Sequence, residues 1–251
     1  MDVHEKHAAE IGTRPDGHEV AAARLRGGST GTLYGPRMLI DLSHTITDGM
    51  ITYPGLPAPV IGTHLSREAA EELYGPGITF HIGLLTLCTN TGTYIDVPFH
   101  RYADGHDLAD LALEQVAGLP AVVLDRRGTE TVEITPDELN ALAGHAVLVR
   151  TDHSVHFGTE RYFQTHPHLS AASAEALVAA DVACVGIDSL NIDGTKTGER
   201  PVHSILLRAG IPIVEHLTNL SALPGDGFSF TAVPPKIQGA GTFTVRAFAT
   251  V

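Results

Sequence analysis

Apolar runs of strand length recur from residue 37 to the end of the chain, and they restrict the possible folds more than any other feature. Each run is rich in β-branched or aromatic residues and is flanked by Gly, Pro or polar residues, as is typical of short strands. The runs are MLIDLS, TFHIGLLTLC, PAVVLD, AVLVRT, VACVGID, PIVEHL, FSFTAV and TFTVRAFATV. A chain with this pattern is expected to build most of its core from a β-sheet.

Short segments with helical periodicity lie between these runs. They are SREAAEELY, LADLALEQV, TPDELNALA and SAASAEALVAAD. Two of them carry start signals: Thr135 precedes Pro136 and Glu138, and Ser170 precedes an Ala-rich run. Since strands outnumber helices and alternate with them only in the middle of the chain, we predict an α/β fold with a mixed β-sheet or barrel-like core and peripheral helices.

Length and composition favour one domain. The 251 residues, 43% of them apolar, suffice to bury a sizeable core. Residues 1–36 are polar and Gly-rich without a sustained period, so we predict a flexible N-terminal arm there and a single folded domain over 37–251.

Charge and cysteine usage exclude several classes of partner. The formal net charge is -13, and the few Lys and Arg residues are scattered, which argues against nucleic acid and anionic membranes as partners. No apolar run approaches the roughly 20 residues of a membrane span, and the N-terminus lacks the order of a signal peptide. Cys88 and Cys184 lie in apolar runs and form no CxxC motif, so we expect free thiols and a cytoplasmic protein.

The segment NTGTYIDVPFH, residues 90–100, concentrates groups that can bind a metal ion or transfer a proton. Asn90, Tyr94, Asp96 and His100 stand at even spacing, so an extended chain would direct them to one side. A surface turn that contains an Asp and a His by chance is the alternative interpretation of this segment.

A second cluster strengthens the metal-site interpretation. His203 precedes an apolar Ile-Leu-Leu run, and Glu215 ends the strand-like run IPIVE. Burying either side chain costs several kcal/mol unless it is paired or ligated. Together with Asp96 they would form a sensible site for one divalent ion, with the remaining positions open to water or substrate.

The string TGTYIDVPFH resembles the signature H-T-G-T-H-x-D-x-P-x-H of the cyclase family of metal-dependent hydrolases, which includes bacterial kynurenine formamidase and isatin hydrolase. The resemblance extends over most of the chain from Met38, through IDLSHTITDGMITYPG, LVRTDHS, HPHLSAASAEAL, VGIDSLNID and PKIQGAGTFTVRAFA. It implies that Asp96, His203 and Glu215 are metal ligands and that His100 acts close to the reacting carbonyl.

Two signature positions differ from the family pattern. Asn90 and Tyr94 replace the two imidazoles that hold one metal in the two-zinc relatives, so we expect that metal position to be lost. The remaining set of ligands is rich in carboxylate oxygen, which favours a single manganese or magnesium ion over a tight zinc site. Asn90 is expected to contact substrate or its water, and Phe99 is a candidate substrate contact.

These residues predict a hydrolase that cleaves an amide, lactam, lactone or ester bond of a small organic molecule. A bound divalent ion lowers the pKa of its water from about 15.7 to about 7. His100 would carry the proton from water to the leaving group, because imidazole titrates near pH 6.5.

Two other functions stay open at this point. One is a biosynthetic cyclase, dehydratase or isomerase in which Tyr94 and His100 act as acid and base, with the metal site degenerate or absent. The other is a binding protein that has lost turnover.

The resemblance also implies a homodimer or a higher homo-oligomer. The His-rich segment HSVHFGTERYFQTHPHL, residues 153–169, is expected to be a loop near the pocket rather than a second metal site.

Overall fold

Thirteen short strands and three helices build the part of the chain that the computed structural model describes, residues 37–251. The predicted arm, residues 1–36, lies outside the described residues. The helices are α1 (Arg67–Tyr74), α2 (Ala171–Ala179) and α3 (Pro201–Arg208). The strands are β1 (Leu39–Asp41), β2 (Val60–Leu65), β3 (Ile82–Thr86), β4 (Tyr94–Asp96), β5 (Leu119–Asp125), β6 (Thr131–Val132), β7 (Ala146–Arg150), β8 (His168–Leu169), β9 (Cys184–Ile187), β10 (Ile213–Glu215), β11 (Phe228–Thr231), β12 (Thr242–Thr244) and β13 (Phe248–Thr250).

Nine strands form one mixed sheet in the order β1-β13-β11-β5-β7-β9-β10-β4-β12. The central strands β5, β7, β9 and β10 are parallel, and the outer strands pair antiparallel. Two smaller pairs, β2 with β3 and β6 with β8, stand apart from this sheet. The α/β class and the mixed sheet predicted from the sequence are therefore confirmed.

The connection between β12 and β13 requires the sheet to curl. Seven inter-strand steps separate these strands in the sheet, which would span roughly 34 Å in a flat sheet at about 4.8 Å per step. Only residues 245–247 join them along the chain, and four Cα–Cα steps reach at most about 14 Å. The two sides of the sheet therefore approach each other, and the sheet forms a half-barrel.

Strand β7 shows how the core fills both faces of the sheet. Ala146 and Leu148 pack into one buried apolar cluster, and Val147 and Val149 pack into the other. Because successive side chains of a strand point to opposite faces, a continuous apolar run suits a strand covered on both sides. Gly186 on β9 has no room for a side chain, since a Cβ there would lie 2.6 Å from Leu217 and 2.8 Å from Leu148.

Polar side chains cap the first two helices, and Ser170 is one of the predicted start signals. Ser66 caps α1 by accepting a hydrogen bond from the Ala69 amide, and Ser170 caps α2 through the Ser173 amide. Thr135 and Glu138 form the expected capping box, although the segment that follows is a single 3-10 turn, Pro136–Leu139. None of the helices in residues 37–251 is long and apolar enough to cross a membrane.

Several local features differ from the sequence predictions. LADLALEQV contains only a 3-10 turn, Leu113–Gln115, and TFTVRAFATV divides into β12 and β13. The segment with His203 forms a helix that the apolar pattern did not predict. The Gly-rich segment IQGAGT leads into β12, and Gly241 packs so closely against the His100 backbone that no Cβ would fit.

Candidate active site

The antiparallel pairing of β4 with its two neighbours positions four polar side chains. Tyr94 lies directly opposite Glu215 on β10, and Asp96 lies directly opposite Thr242 on β12. Tyr94 and Asp96 share one face of β4, because alternate residues of a strand point to the same side. All four side chains are buried. Two carboxylates, a phenol and a hydroxyl thus meet inside an otherwise apolar sheet.

His203 reaches this cluster from the first turn of α3, which begins at Pro201. Asp193 holds it there: one carboxylate oxygen accepts the Val202 amide at 2.8 Å, and the other accepts the His203 amide at 3.0 Å and bonds to Nδ1 at 2.7 Å. The Nε2 atom of His203 then lies 3.6 Å from Asp96 Oδ2 and 3.7 Å from Glu215 Oε1.

A chain of hydrogen bonds runs from His100 through Thr242 to Asp96. His100 lies on a 3-10 turn, Pro98–His100, that follows β4. Its Nδ1 is 2.8 Å from the Thr242 hydroxyl, and that hydroxyl donates to Asp96 Oδ1. The other oxygen, Oδ2, is buried without a hydrogen-bond partner among residues 37–251.

These bonds determine which ring nitrogens are free. The Thr242 hydroxyl has one proton and gives it to a carboxylate, so it must accept from His100 Nδ1–H. His100 therefore keeps its Nε2 lone pair available on a side chain that is 36% exposed. In the same way, Asp193 fixes the proton of His203 on Nδ1 and directs Nε2 toward the carboxylates.

Tyr94 and Glu215 form a buried pair. The Tyr94 hydroxyl donates to Glu215 Oε2 at 2.6 Å, and the Ile192 amide donates to Oε1 at 2.6 Å. Burial and the charges of Glu215 and Asp96 raise the pKa of Tyr94 well above its usual value. Tyr94 is consequently a protonated hydrogen-bond donor to the carboxylate at neutral pH.

The extended chain that we expected over residues 90–100 is limited to β4. Asn90 lies before the strand, half-buried, and its side-chain oxygen accepts a hydrogen bond from the Thr89 hydroxyl. Phe99 lies on the 3-10 turn beside His100 and is 37% exposed. The even spacing thus correctly places Tyr94 and Asp96 on one side, whereas a turn brings His100 into the site.

The electrostatics of the cluster favour a positive charge at its centre. Burial alone would lower the pKa of His203, but the hydrogen bond to Asp193 and the nearby carboxylates of Asp96 and Glu215 raise it to about 10. Burial raises the pKa of Glu215 to about 7, with the nearby Asp96 charge acting in the same direction. Three buried carboxylates around one imidazole leave excess negative charge, which a proton or a metal cation can neutralise.

The donor set fits a divalent metal ion. Within residues 37–251, Asp96, His100 and His203 offer ligand atoms that all lie within 4.8 Å of one another. Glu215 is outside that group but adjoins it through His203. The unpartnered Asp96 Oδ2 and the oriented His203 Nε2 are the atoms that an ion would take first. The predicted ligands Asp96, His203 and Glu215 are therefore neighbours in the fold, and His100 adjoins them.

Sequence reasoning missed several contributors. Thr242 gave no signal of its own, because only the register of β12 against β4 brings it to Asp96. Asp193 lies in DSLNID, which the family resemblance marks, yet its bond to His203 was not foreseen. Asp188 in the same segment accepts from the Thr151 and Asp152 amides and so acts as a cap for the chain after β7.

The histidines of the His-rich segment bond to the backbone, and the two cysteines are free thiols. In residues 37–251 no group of three metal-ligating side chains includes His153, His156, His166 or His168. His153 instead bonds to the Tyr162 carbonyl, and His166 bonds to the Asp193 carbonyl. Cys184 is buried and Cys88 is partly buried, and both are free thiols.

Comparison with known proteins places this arrangement in a family. Residues 40–194 match the model of the Cyclase family, described as "Putative cyclase". The kynurenine formamidase of Bacillus cereus is 30% identical over 209 residues, covering 83% of this chain and 95% of the relative. The kynurenine formamidase of Salinibacter ruber is 30% identical over 212 residues with the same coverage.

Solved structures show the same fold. A potential metal-dependent hydrolase with cyclase activity superposes with a TM-score of 0.69 at 24% identity, covering 86% of this chain and 98% of the other. An isatin hydrolase bound to the product analogue thioisatinate superposes with a TM-score of 0.71 at 23% identity, covering 86% and 92%. The chain therefore belongs to the cyclase family and is a hydrolase of that family.

Proposed function

We propose that the chain hydrolyses an amide bond, as in a formamide or a lactam, or the corresponding ester or lactone, in a small organic molecule. The observation that carries the proposal is the convergence of Asp96 Oδ2, His203 Nε2 and Glu215 Oε1 beside an oriented, partly exposed His100. The substrate class follows from the kynurenine formamidase relatives.

In this proposal Asp96, His203 and Glu215 hold one divalent ion. Manganese and magnesium suit the two carboxylates, and zinc is the alternative. When bound, such an ion supplies Lewis-acid activation of water and of the substrate carbonyl. Since Oδ1 of Asp96 is occupied by Thr242, its Oδ2 is the oxygen assigned to the ion.

His100 is the proton carrier in this proposal. Its Nε2 lone pair accepts a proton from the attacking water and then returns it to the leaving nitrogen or oxygen. The products are a carboxylic acid and an amine, ammonia or an alcohol. Phe99, next to His100 and exposed, and Asn90, beside Tyr94, are the proposed substrate contacts.

Elemental analysis with a substrate panel tests the function. Protein purified without chelator or nickel affinity is expected to hold about one equivalent of a divalent metal, and chelation should remove both the metal and the turnover of N-formylkynurenine, isatin or a simple lactone. His100→Ala should keep the metal and lose turnover, while the exposed His64→Ala serves as control. A metal-free protein that hydrolyses nothing when manganese, magnesium or zinc is added would contradict the proposal.

One observation supports a second candidate, in which Tyr94 and His100 perform the acid–base chemistry of a cyclase, dehydratase or isomerase. The 2.6 Å bond between the Tyr94 hydroxyl and Glu215 could pass a proton between them. Tyr94→Phe separates the candidates: we expect less than about a 10-fold loss of kcat for the hydrolase, but about 10²-fold or more if the phenol is the acid. Measured kcat for each substrate decides between them.

We also propose a homo-oligomer of cytoplasmic location, consistent with the two free cysteines. Residues 60–86, here called the apolar hairpin, comprise β2, α1 and β3. Within residues 37–251 they expose large side chains, namely Val60, Ile61, Leu73, Tyr74, Ile78, Phe80, Ile82, Leu84 and Leu85. Such a concentration of exposed apolar side chains is typical of a protein–protein interface. The proposed partner is a second copy of this chain, and sedimentation velocity tests it.

A further inference from the structure

His216, the residue after Glu215, adopts a backbone conformation that a side chain does not favour. Its φ is +56°, in the left-handed region where glycine is most easily accommodated. The residue is nevertheless completely buried, and its carbonyl accepts a 2.6 Å hydrogen bond from the Thr93 hydroxyl. Strained positions with a large side chain cluster at functional sites, so the imidazole calls for a physical explanation.

The hydrogen bonding of the imidazole determines its tautomer. His216 Nδ1 lies 2.8 Å from the Tyr162 hydroxyl, which makes no other hydrogen bond within residues 37–251. If the Tyr162 hydroxyl donates to His216 Nδ1, only the hydrogen on His216 Nε2 lacks a hydrogen-bond partner. If His216 donates instead, both the Tyr162 hydrogen and the Nε2 lone pair lack partners. The first arrangement satisfies more groups, so His216 carries its proton on Nε2.

That Nε2–H group is buried and has no acceptor among residues 37–251. The His216 ring lies among aromatic rings: its centroid is 5.1 Å from that of Tyr94, 6.2 Å from that of Phe157 and 5.7 Å from that of Tyr162. Tyr94 is the same residue that donates to Glu215, so His216 adjoins the proposed metal cluster directly.

The region around His216 also connects to the surface. His44 and Phe157, both half-buried, stack with their ring centroids 3.7 Å apart, and Phe157 meets His216 edge-on. Two loops therefore cover the unpartnered donor, and a planar ligand that parts this stack would reach it.

We propose that His216 is a substrate-binding residue whose Nε2–H donates a hydrogen bond to the carbonyl oxygen under attack, with Tyr162 as the positioning residue. The inference rests on the proposed hydrolysis. A neutral donor inside a buried site stabilises negative charge that develops on that oxygen, because the low-dielectric surroundings strengthen the bond and the donor is already oriented.

Two variants that share the same backbone strain test the inference. His216→Leu removes the donor at similar volume, and His216→Gln keeps an amide N–H at about the reach of Nε2. We expect kcat/KM for N-formylkynurenine to fall about 10²-fold in the Leu variant, with most of the loss recovered in the Gln variant. Equal kcat/KM in the Leu variant and the wild type, with both proteins folded by circular dichroism, would overturn the inference.

A second measurement is independent of turnover. In protein labelled with ¹⁵N-histidine, the resonance that disappears in His216→Gln should report a neutral ring protonated on Nε2, and Tyr162→Phe should shift it. A proton on Nδ1 would overturn the assignment. If the wild type hydrolyses nothing, the proposed function fails, and the affinity for N-formylkynurenine then tests the inference. Weaker binding in His216→Leu than in the wild type, with normal binding in His216→Gln, supports the inference. Unchanged binding in His216→Leu, or no binding by the wild type, rejects it.

Discussion

Two regions of the molecule reverse the usual distribution of side chains. Around β4 and β10, the carboxylates of Asp96, Asp193 and Glu215 are buried. In the apolar hairpin, every residue of β3 is exposed, although Leu84 and Leu85 belong to a type usually found inside. Buried charge is costly unless a counter-ion or hydrogen bonds compensate it, and exposed apolar area costs about 25 cal/mol per Å². Each region therefore underlies one of the proposals above: the divalent cation for the first and the second copy of the chain for the second.

The largest expected effect comes from breaking the polar region. Asp96→Asn keeps the shape of the side chain and removes its charge. Loss of an outer partner of a metal ligand alone costs about 10–100-fold in affinity, so loss of a direct ligand should exceed about 100-fold and remove most turnover. Metal titration followed by a kcat measurement checks this, with the exposed Asp104→Asn as control. Unchanged metal affinity in Asp96→Asn would remove Asp96 from the ligand set.

The next effect addresses the apolar region. Leu84→Glu introduces a charge where the apolar hairpin is expected to meet a second copy, and the dimer dissociation constant should rise at least about 100-fold, because one buried unpaired charge costs several kcal/mol. Sedimentation velocity over a concentration series measures the change. Val155→Glu is the matched control, since Val155 is 72% exposed and lies outside the hairpin. An identical sedimentation profile for Leu84→Glu and wild type would reject the interface.

A moderate effect is expected at the link between His100 and Asp96. Thr242→Val removes the hydroxyl that orients His100 and donates to Asp96, so kcat measured at saturating metal should fall about 10-fold to 100-fold. Thr242→Ser, which keeps the hydroxyl, should stay within a few-fold of wild type. If the Val and Ser variants lose equal activity, the hydroxyl has no positioning role.

The smallest effect concerns pH. Burial lowers the pKa of His44 to about 4, below the value of about 6.5 for an unfolded histidine. The unfolded chain therefore binds this proton first, and the folded state loses stability as the pH falls from about 6.5 to about 4, by at most about 3 kcal/mol. His44→Phe keeps a ring against Phe157 and should flatten the pH dependence of Tm in this window. Identical pH profiles for His44→Phe and wild type would contradict this assignment.

Much of the sheet could be predicted from the sequence because its strands are continuous apolar runs. AVLVRT and VACVGID are buried on both faces, and their strands β7 and β9 lie within the predicted runs. The helix predicted for LADLALEQV is wrong because its apolar spacing fits a helix, whereas Leu108 and Val116 pack into the core from a segment that contains only a 3-10 turn. The local pattern of apolar residues indicates which side chains are buried, but tertiary packing determines the backbone conformation of the segment.

The active site divides in the same way. Asp96, His203 and Glu215 were identified through the family signature, and the fold brings them together. Thr242 and Tyr162 could not be identified, because their partners Asp96 and His216 lie 146 and 54 residues away and are reached only through strand register and loop packing. A residue that acts through another side chain leaves little local trace in a sequence.

The curl of the sheet has a consequence for synthesis of the chain. Strands β12 and β13 lie within the last ten residues, and they pair with β4 on one side of the sheet and with β1 and β11 on the other. Domains begin to fold while the ribosome is still adding residues. The central parallel strands are available early, but the contact between Thr242 and Asp96 cannot form until β12 has been added to the chain. A chain truncated before Thr242 should therefore lack an oriented His100, so the sheet can begin to assemble before its active site can.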